Sequence, residues 1–158
     1  MFLSDKTIKA SKLVVPLKPE NVSPVSVDLT LAGEGLSEDH HAIMFNELEL
    51  APGEFLLLST NETVRIPNGI AAIVKGKSSL ARQGLMVECA GFVDPGFTGT
   101  ITLEVKNLNR QRKLTLKKGQ KICQIVFMTA EPSEALYSDE NGHHYQGQNT
   151  VTKSVLDK

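Results

Sequence analysis

The sequence predicts a compact, mostly β barrel or roll carrying one or two short helices. Three observations lead there. The apolar segments are short and many, and several alternate with period two. Turn signals separate them, notably Pro52-Gly53, Pro67-Asn68-Gly69 and Asp94-Pro95-Gly96. The chain, at 158 residues and 41% hydrophobic, has the size of one domain with a real core. No internal repeat divides it.

The elements follow in order. Ser4 or Asp5 can cap a short helix reaching about residue 12, with Leu3, Ile8 and Leu13 as its apolar contacts. Pro16, Pro19 and Pro24 then forbid continuous helix. Residues 26–31, SVDLTL, alternate and read as a strand. Residues 32–41 read as a polar loop containing Gly33 and Gly35; His40 and His41 lie there as surface residues rather than metal ligands. Strands are expected at 47–50, 54–59, 63–66 and 70–74. Helical character follows at 78–82, with Ser78 or Ser79 as cap. Further strands are expected at 85–89, 100–105, 113–116 and 122–127, the last two joined as a hairpin through Lys117-Lys118-Gly119-Gln120.

Composition narrows the partners. Net charge is −1, so no bulk field favours nucleic acid or anionic membrane. Residues 106–121 carry seven basic side chains and no acid, while 34–62 is acid-rich. A solvated hairpin explains the basic strip better than a polyanion site. No apolar run approaches the ~20 residues of a membrane span. The opening MFLSDKTIKASK lacks the apolar core of a signal peptide. Cys89 and Cys123 each sit in an apolar run, which predicts buried thiols in a reducing cytoplasm.

Residues 76–104 concentrate the chemistry. They hold a Gly-Lys-Ser-Ser turn with Lys77, Ser78 and Ser79, then Arg82, the Asp94-Pro95-Gly96 turn, and the lone acid Glu104 in an apolar strand. Serine hydroxyls and consecutive N–H groups suit phosphate oxygens. Arg82 can fork onto an anion. An acid at an inward strand position is costly unless paired or used. The alternatives are bland: helix caps for the serines, a plain turn at Asp94, and a buried Glu104–Arg82 pair that adds little stability. The polar tail at 138–158 is either a frayed end or a cover able to stack a base with Tyr145. A P-loop, a GxGxxG motif, a GxSxG elbow and the zinc-deaminase signature are all absent, and the paired histidines of the tail are too few for a structural zinc site. Any hydrolysis must then use water activated by a carboxylate, with diffusible Mg²⁺ on a phosphate substrate.

Taken together, GKSSLARQGL, AGFVDPGFTG, ITLE, GQKICQIVF and YQGQ, with the opening MFLSDKTI and the strand SVDLTL, resemble the dCTP deaminase branch of the deaminase and dUTPase superfamily. The similarity runs to Ser154, weakest at 32–50. It implies a β-clip, a distorted jelly-roll-like barrel, assembled as a homotrimer with sites between subunits. Residues 1–137 would form the nucleotide-binding domain, and 138–158 a tail closing over the site. The resemblance makes Glu104 the general acid and base, without zinc, and has Ser78 and Arg82 position it and the attacking water. Ala90 would lie near the exocyclic amine. Ser79, Gln124 and Tyr137 would bind the triphosphate, with Mg²⁺ on the phosphates rather than in a protein cage, and Lys77, Gly91 and Phe92 would belong to the nucleotide-binding set. Gln148 would read the base edge beside Tyr145. Asp94 would serve hydrolysis at the α-phosphate. Gly91-Phe92 stands where deaminases that make only dUTP tend to have His-Arg, so the sequence is more similar to the bifunctional enzymes that take dCTP to dUMP and pyrophosphate.

Three departures from the family pattern stand out. The segment between Arg82 and Ala90 is one residue short, His144 replaces a lysine before the tail tyrosine, and 32–50 is abbreviated. A dUTPase acting on dUTP alone, or a nucleotide-binding regulator on the same fold, remain the alternatives at this level.

Overall fold

The computed structural model describes residues 1–88 and 90–156. The expectation of a thiol at Cys89 lies outside them; Cys123 is fully buried. The N-terminal helix α1 (Asp5–Ala10) is shorter than expected, because Ser4 caps it and Ser11 closes it with a backbone N–H on the Ile8 carbonyl. Strands β1 (Val14–Val15) and β2 (Val22–Ser23) flank the proline segment. Then comes β3 (Ser26–Leu36), the longest strand among the described residues, which continues into the first half of the stretch read as a loop. It is followed by β4 (Ala42–Met44), β5 (Glu47–Leu50), β6 (Phe55–Thr60), β7 (Thr63–Arg65) and β8 (Ile70–Gly76). A single turn of helix, α2 (Ser78–Ala81), leads to β9 (Leu85–Glu88), β10 (Phe92–Val93), β11 (Thr98–Gly99) and β12 (Thr102–Asn107). The last strands are β13 (Leu114–Lys117) and β14 (Lys121–Thr129).

The main sheet runs β10-β8-β14-β3-β6-β12-β9 and curls through β3. The first half of β3 pairs with β14; past a register break between Leu31 and Gly35 it pairs with β6 and β4. Gly33 makes the bend. Its φ is +85°, and a Cβ there would come within 2.7 Å of the Phe45 carbonyl oxygen. That is why a loop-like composition forms a strand: the glycines are bend points within one continuous ladder. The core lies inside the curl, with Leu29, Leu31, Leu58, Leu103, Ile125 and Phe127 inaccessible to solvent.

A buried carboxylate secures the bend. β6 ends at Thr60 while β3 extends back to Ser26, so the edge of β3 at Thr30 needs an acceptor there. Glu62, 1% exposed, supplies it, taking the Thr30 N–H at 2.8 Å and its hydroxyl at 2.7 Å. Thr60 adds a second tie, its hydroxyl donating to the Glu62 carbonyl and accepting from Ile101 N–H.

The predicted hairpin at 117–120 is a correction. The turn forms, with Gln120 N–H on the Lys117 carbonyl at 3.0 Å, but its strands diverge. β13 pairs with β5, and β14 enters the main sheet. The pairing with β5 also accounts for part of the basic strip. Lys117 meets Glu47 and Lys113 meets Glu49, so basic and acid-rich segments neutralise each other across strands. Among the described residues no helix is long and apolar enough to cross a membrane.

Replacing Glu62 by Ala would leave two buried donors of Thr30 without an acceptor. Each loss of that kind costs about 1–3 kcal/mol, and urea unfolding should show roughly 2–6 kcal/mol of destabilisation in total. An unchanged midpoint would remove Glu62 from this role.

Candidate active site

Between the β8–β10 side of the curl and the β6–β12 side lies a cavity of about 510 Å³. Phe55, Leu57, Val74, Phe97 and Ile101 give it apolar walls. Glu104 enters it because β12 alternates. Leu103 and Val105 face the core, and Thr102 and Glu104 face the cavity. The inward position expected for Glu104 is therefore inward to the cavity, half-buried, with Oε2 closed off from solvent.

Ala90, Gly91, Phe92 and Asp94 line the same cavity from the β10 side. Asp94 is exposed at its rim, and Phe92 is 57% exposed. Gly96, in the turn after Asp94, has φ +101° and packs so closely on Tyr137 that a Cβ would lie 2.7 Å from its nitrogen. The turn is thus a docking point as well as a chain reversal: Tyr137 N–H donates to the Pro95 carbonyl at 2.8 Å.

The tail lines the cavity with Tyr145, Gln148, Thr152 and Ser154. It runs beside residues 98–102 in the same direction, with Gly147 N–H on the Thr98 carbonyl and Thr100 N–H on the Gln148 carbonyl. Tyr145 packs on the core, its N–H donating to the Tyr137 hydroxyl at 3.2 Å. Tyr137 is wedged edge-on against Phe97 and stacked on His143 at 4.3 Å. Burial raises the Tyr137 pKa, and the carboxylates of Asp94 and Asp139 add to the rise. Its hydroxyl stays protonated at neutral pH, able to donate to an anion while it accepts from the tail.

Gln148 lines the cavity in a fixed orientation. Its Nε2 donates to the Thr100 carbonyl at 2.6 Å, which turns Oε1 the other way; among the described residues that buried oxygen receives no hydrogen bond. Gln146, singled out by nothing in the sequence beyond its place near Gly147, is the anchor. Its Oε1 accepts from Thr98 N–H at 2.9 Å, and its Nε2 donates to the Gly96 and Tyr137 carbonyls. His40 also lines the cavity, at φ +60° in the turn between β3 and β4. Its loop was expected at the surface and His40 is exposed there; what no local pattern reveals is that this turn stands beside the site.

The remaining predicted site residues lie elsewhere in the same chain. Ser78, Ser79 and Arg82 are exposed on α2, away from the cavity. Neither serine is the cap; Lys77 holds that position with extended backbone and no side-chain cap bond. Lys77 instead bonds Asp28, and Gln124 sits directly opposite Asp28 in the β14–β3 ladder.

Solved structures place this architecture in a class. The fold matches a 2′-deoxycytidine 5′-triphosphate deaminase from Agrobacterium tumefaciens at TM-score 0.72 and 19% identity, over 82% of this chain and 49% of that one. This chain thus spans about half the length of that protein. It also matches the dUTPase of Staphylococcus bacteriophage 80alpha, solved with dUpNHpp, at TM-score 0.56 and 18% identity, over 79% of this chain and 89% of that one. The fold is that of the dCTP deaminases and dUTPases. A dCTP deaminase-like family model matches residues 36–130. Two relatives described as dCTP deaminase, dUMP-forming, from Aquifex aeolicus (strain VF5) and Dictyoglomus turgidum (strain DSM 6724 / Z-1310), are each 38% identical over 99% of this chain and 95% of their own length. The chain belongs to the dCTP deaminase-like family.

The anchoring geometry sets an expectation for the tail. Gln146→Ala removes three hydrogen bonds, and at about 1 kcal/mol each the docked tail should open at least tenfold more often. Hydrogen exchange at Gly147 and Thr152 should accelerate accordingly while β14 keeps its protection. Unchanged exchange would mean the tail is held by other contacts.

Proposed function

We propose that the protein is a zinc-independent dCTP deaminase that carries its product on to dUMP and pyrophosphate. The observation that carries this reading is Glu104 in an apolar cavity roofed by the chain's own tail, with the buried acceptor of Gln148 beside it. The curated relatives described as dUMP-forming support the same outcome.

The chemistry follows from the walls. Phe55, Leu57 and Phe97 would hold the pyrimidine ring and exclude bulk water. Glu104 would take a proton from the attacking water as its oxygen bonds to C4, and pass that proton to N3. It would then move the second water proton to the amine. The C4–N bond breaks, ammonia leaves, and uracil remains with N3 protonated. One carboxylate serves both transfers because it can accept and return a proton. Asp94, exposed at the rim, would serve the second step, water attack at the α-phosphate. Among the described residues no group of three or more His, Cys, Asp or Glu gathers as for a metal cage. Mg²⁺ arriving on the substrate's phosphates would neutralise the charge that develops there. A fold neighbour, the dUTPase of phage phi11, is described with a structural Mg(II) ion.

Two substitutions separate the steps. Glu104→Gln keeps the shape but cannot shuttle protons, so ammonia release from dCTP should fall by about 10²-fold or more, while dUTP still binds. Asp94→Asn should suppress pyrophosphate release most. If Glu104→Gln deaminates at the parent rate, Glu104 is structural and a dUTPase acting on dUTP alone becomes the better reading.

We also propose a homotrimer. Ser78, Ser79 and Arg82 are exposed and do not line the cavity that holds Glu104, and Phe92 leaves a large apolar ring uncovered at the cavity rim. A neighbouring subunit that laid α2 against the cavity would use both features. Mass measurement at micromolar concentration should give three chains. A monomer with full turnover would overturn the proposal.

A further inference from the structure

Three strands set a polar row on one face of the main sheet. Lys75 of β8, Gln124 of β14 and Asp28 of β3 are register partners in turn. Asp28 is 7% exposed, an unusual place for a carboxylate in a strand. It is held by two cations. Lys77 Nζ bonds one oxygen, and Lys121 Nζ lies 3.2 Å from the other. Lys121 is fixed from a second side by the Glu20 carbonyl at 3.0 Å. The irregularity in β14 between Lys121 and Cys123 accompanies this placement. Lys77 leads directly into the exposed hydroxyls of Ser78 and Ser79.

We propose that Asp28 is the positioning residue of an anion shelf for the polyphosphate of the nucleotide, and that Lys121 belongs to that shelf with Lys77, Ser79 and Gln124. The inference rests on the nucleotide-hydrolase reading above and extends it to Asp28 and Lys121, which that reading does not use. Two ammonium groups close together repel, and lysine side chains are long and flexible, so unaided they would splay into solvent. One carboxylate beneath them holds both and leaves the cluster at net +1. Each ammonium has three donors. Lys77 uses one on Asp28, and Lys121 uses one on Glu20 while it is paired with Asp28 by charge, so donors remain to meet phosphate oxygens. The shelf lies outside the cavity that holds Glu104, so one subunit would offer its shelf to the cavity of its neighbour.

The full-length enzyme tests this with dCTP turnover and with Mg²⁺-tripolyphosphate binding by calorimetry. Asp28→Asn should raise the KM for dCTP about fivefold or more and weaken tripolyphosphate to a similar degree, with kcat changed less than about twofold. In a Lys77→Met background the same change should add less than about twofold, because its effect passes through that lysine. Lys121→Met, with Asp28 intact, should weaken tripolyphosphate as well, which keeps the test available if Asp28→Asn folds poorly. Tripolyphosphate binding that is unchanged or tighter in Asp28→Asn would overturn the proposal, since Asp28 would then be neutral or a competitor of the phosphates. An effect of equal size in the Lys77→Met background would make Asp28 merely structural. Absence of dCTP turnover in the parent enzyme would instead count against the functional reading, while tripolyphosphate binding would still decide the shelf.

Discussion

The bond between Glu62 and Thr30 determines where the main sheet can turn. A strand that serves two ladders must leave one before it is fully taken up by the other, and the backbone groups at the changeover lose their partners. Here a side-chain carboxylate stands in for the missing strand, inside the core, where an unpaired amide is most costly. Gly33 lets the strand bend immediately afterwards. The curl follows from these two local facts. So does the cavity, because only a curled sheet brings β10 and β12 to face each other across a gap.

Much of this was legible in the sequence, for reasons that can be named. The strands with clean alternation or strong turn flanks, such as β5 between Asn46 and Pro52-Gly53, fall within a residue or two of expectation. The misses share a cause. Glycine in residues 32–36 reads as loop by local propensity, yet tertiary pairing makes it strand. The turn at 117–120 was recognisable, but which sheet each flanking strand would join is a non-local matter that turn chemistry does not encode. The two-residue strands β1, β2, β10 and β11 carry too few residues for any period to show. Glu62 gave no signal, since a lone acid among polar neighbours looks like solvent-facing sequence.

The site residues divide in the same way. The family resemblance drew attention to side chains on both α2 and β12 and implied sites shared between subunits. In the folded chain the acid Glu104, the Asp94 turn and the tail converge, while α2 and its serines remain outside. Sequence order is blind to this division, because residues 78–104 are contiguous, yet only the later part of that stretch lines the cavity. Gln146 and His40 show the opposite limit. Both belong to the site's surroundings through tertiary placement alone, one by bonding three backbone groups and the other by riding on a bend more than sixty residues from Glu104 in the chain.

The tail is attached chiefly by amide-to-backbone hydrogen bonds, with Tyr145 as its main apolar contribution. Attachment of that kind has a thermodynamic character of its own. Burying little apolar surface gives a small heat-capacity change, and ordering a polar segment is favourable in enthalpy and unfavourable in entropy. The latch over the cavity therefore loosens steadily on warming, while the apolar core beneath it, stabilised by a largely entropic term near room temperature, does not weaken in step. Over the physiological range the cover and the scaffold have separate temperature dependences, and the residence time of whatever lies beneath the tail follows the cover.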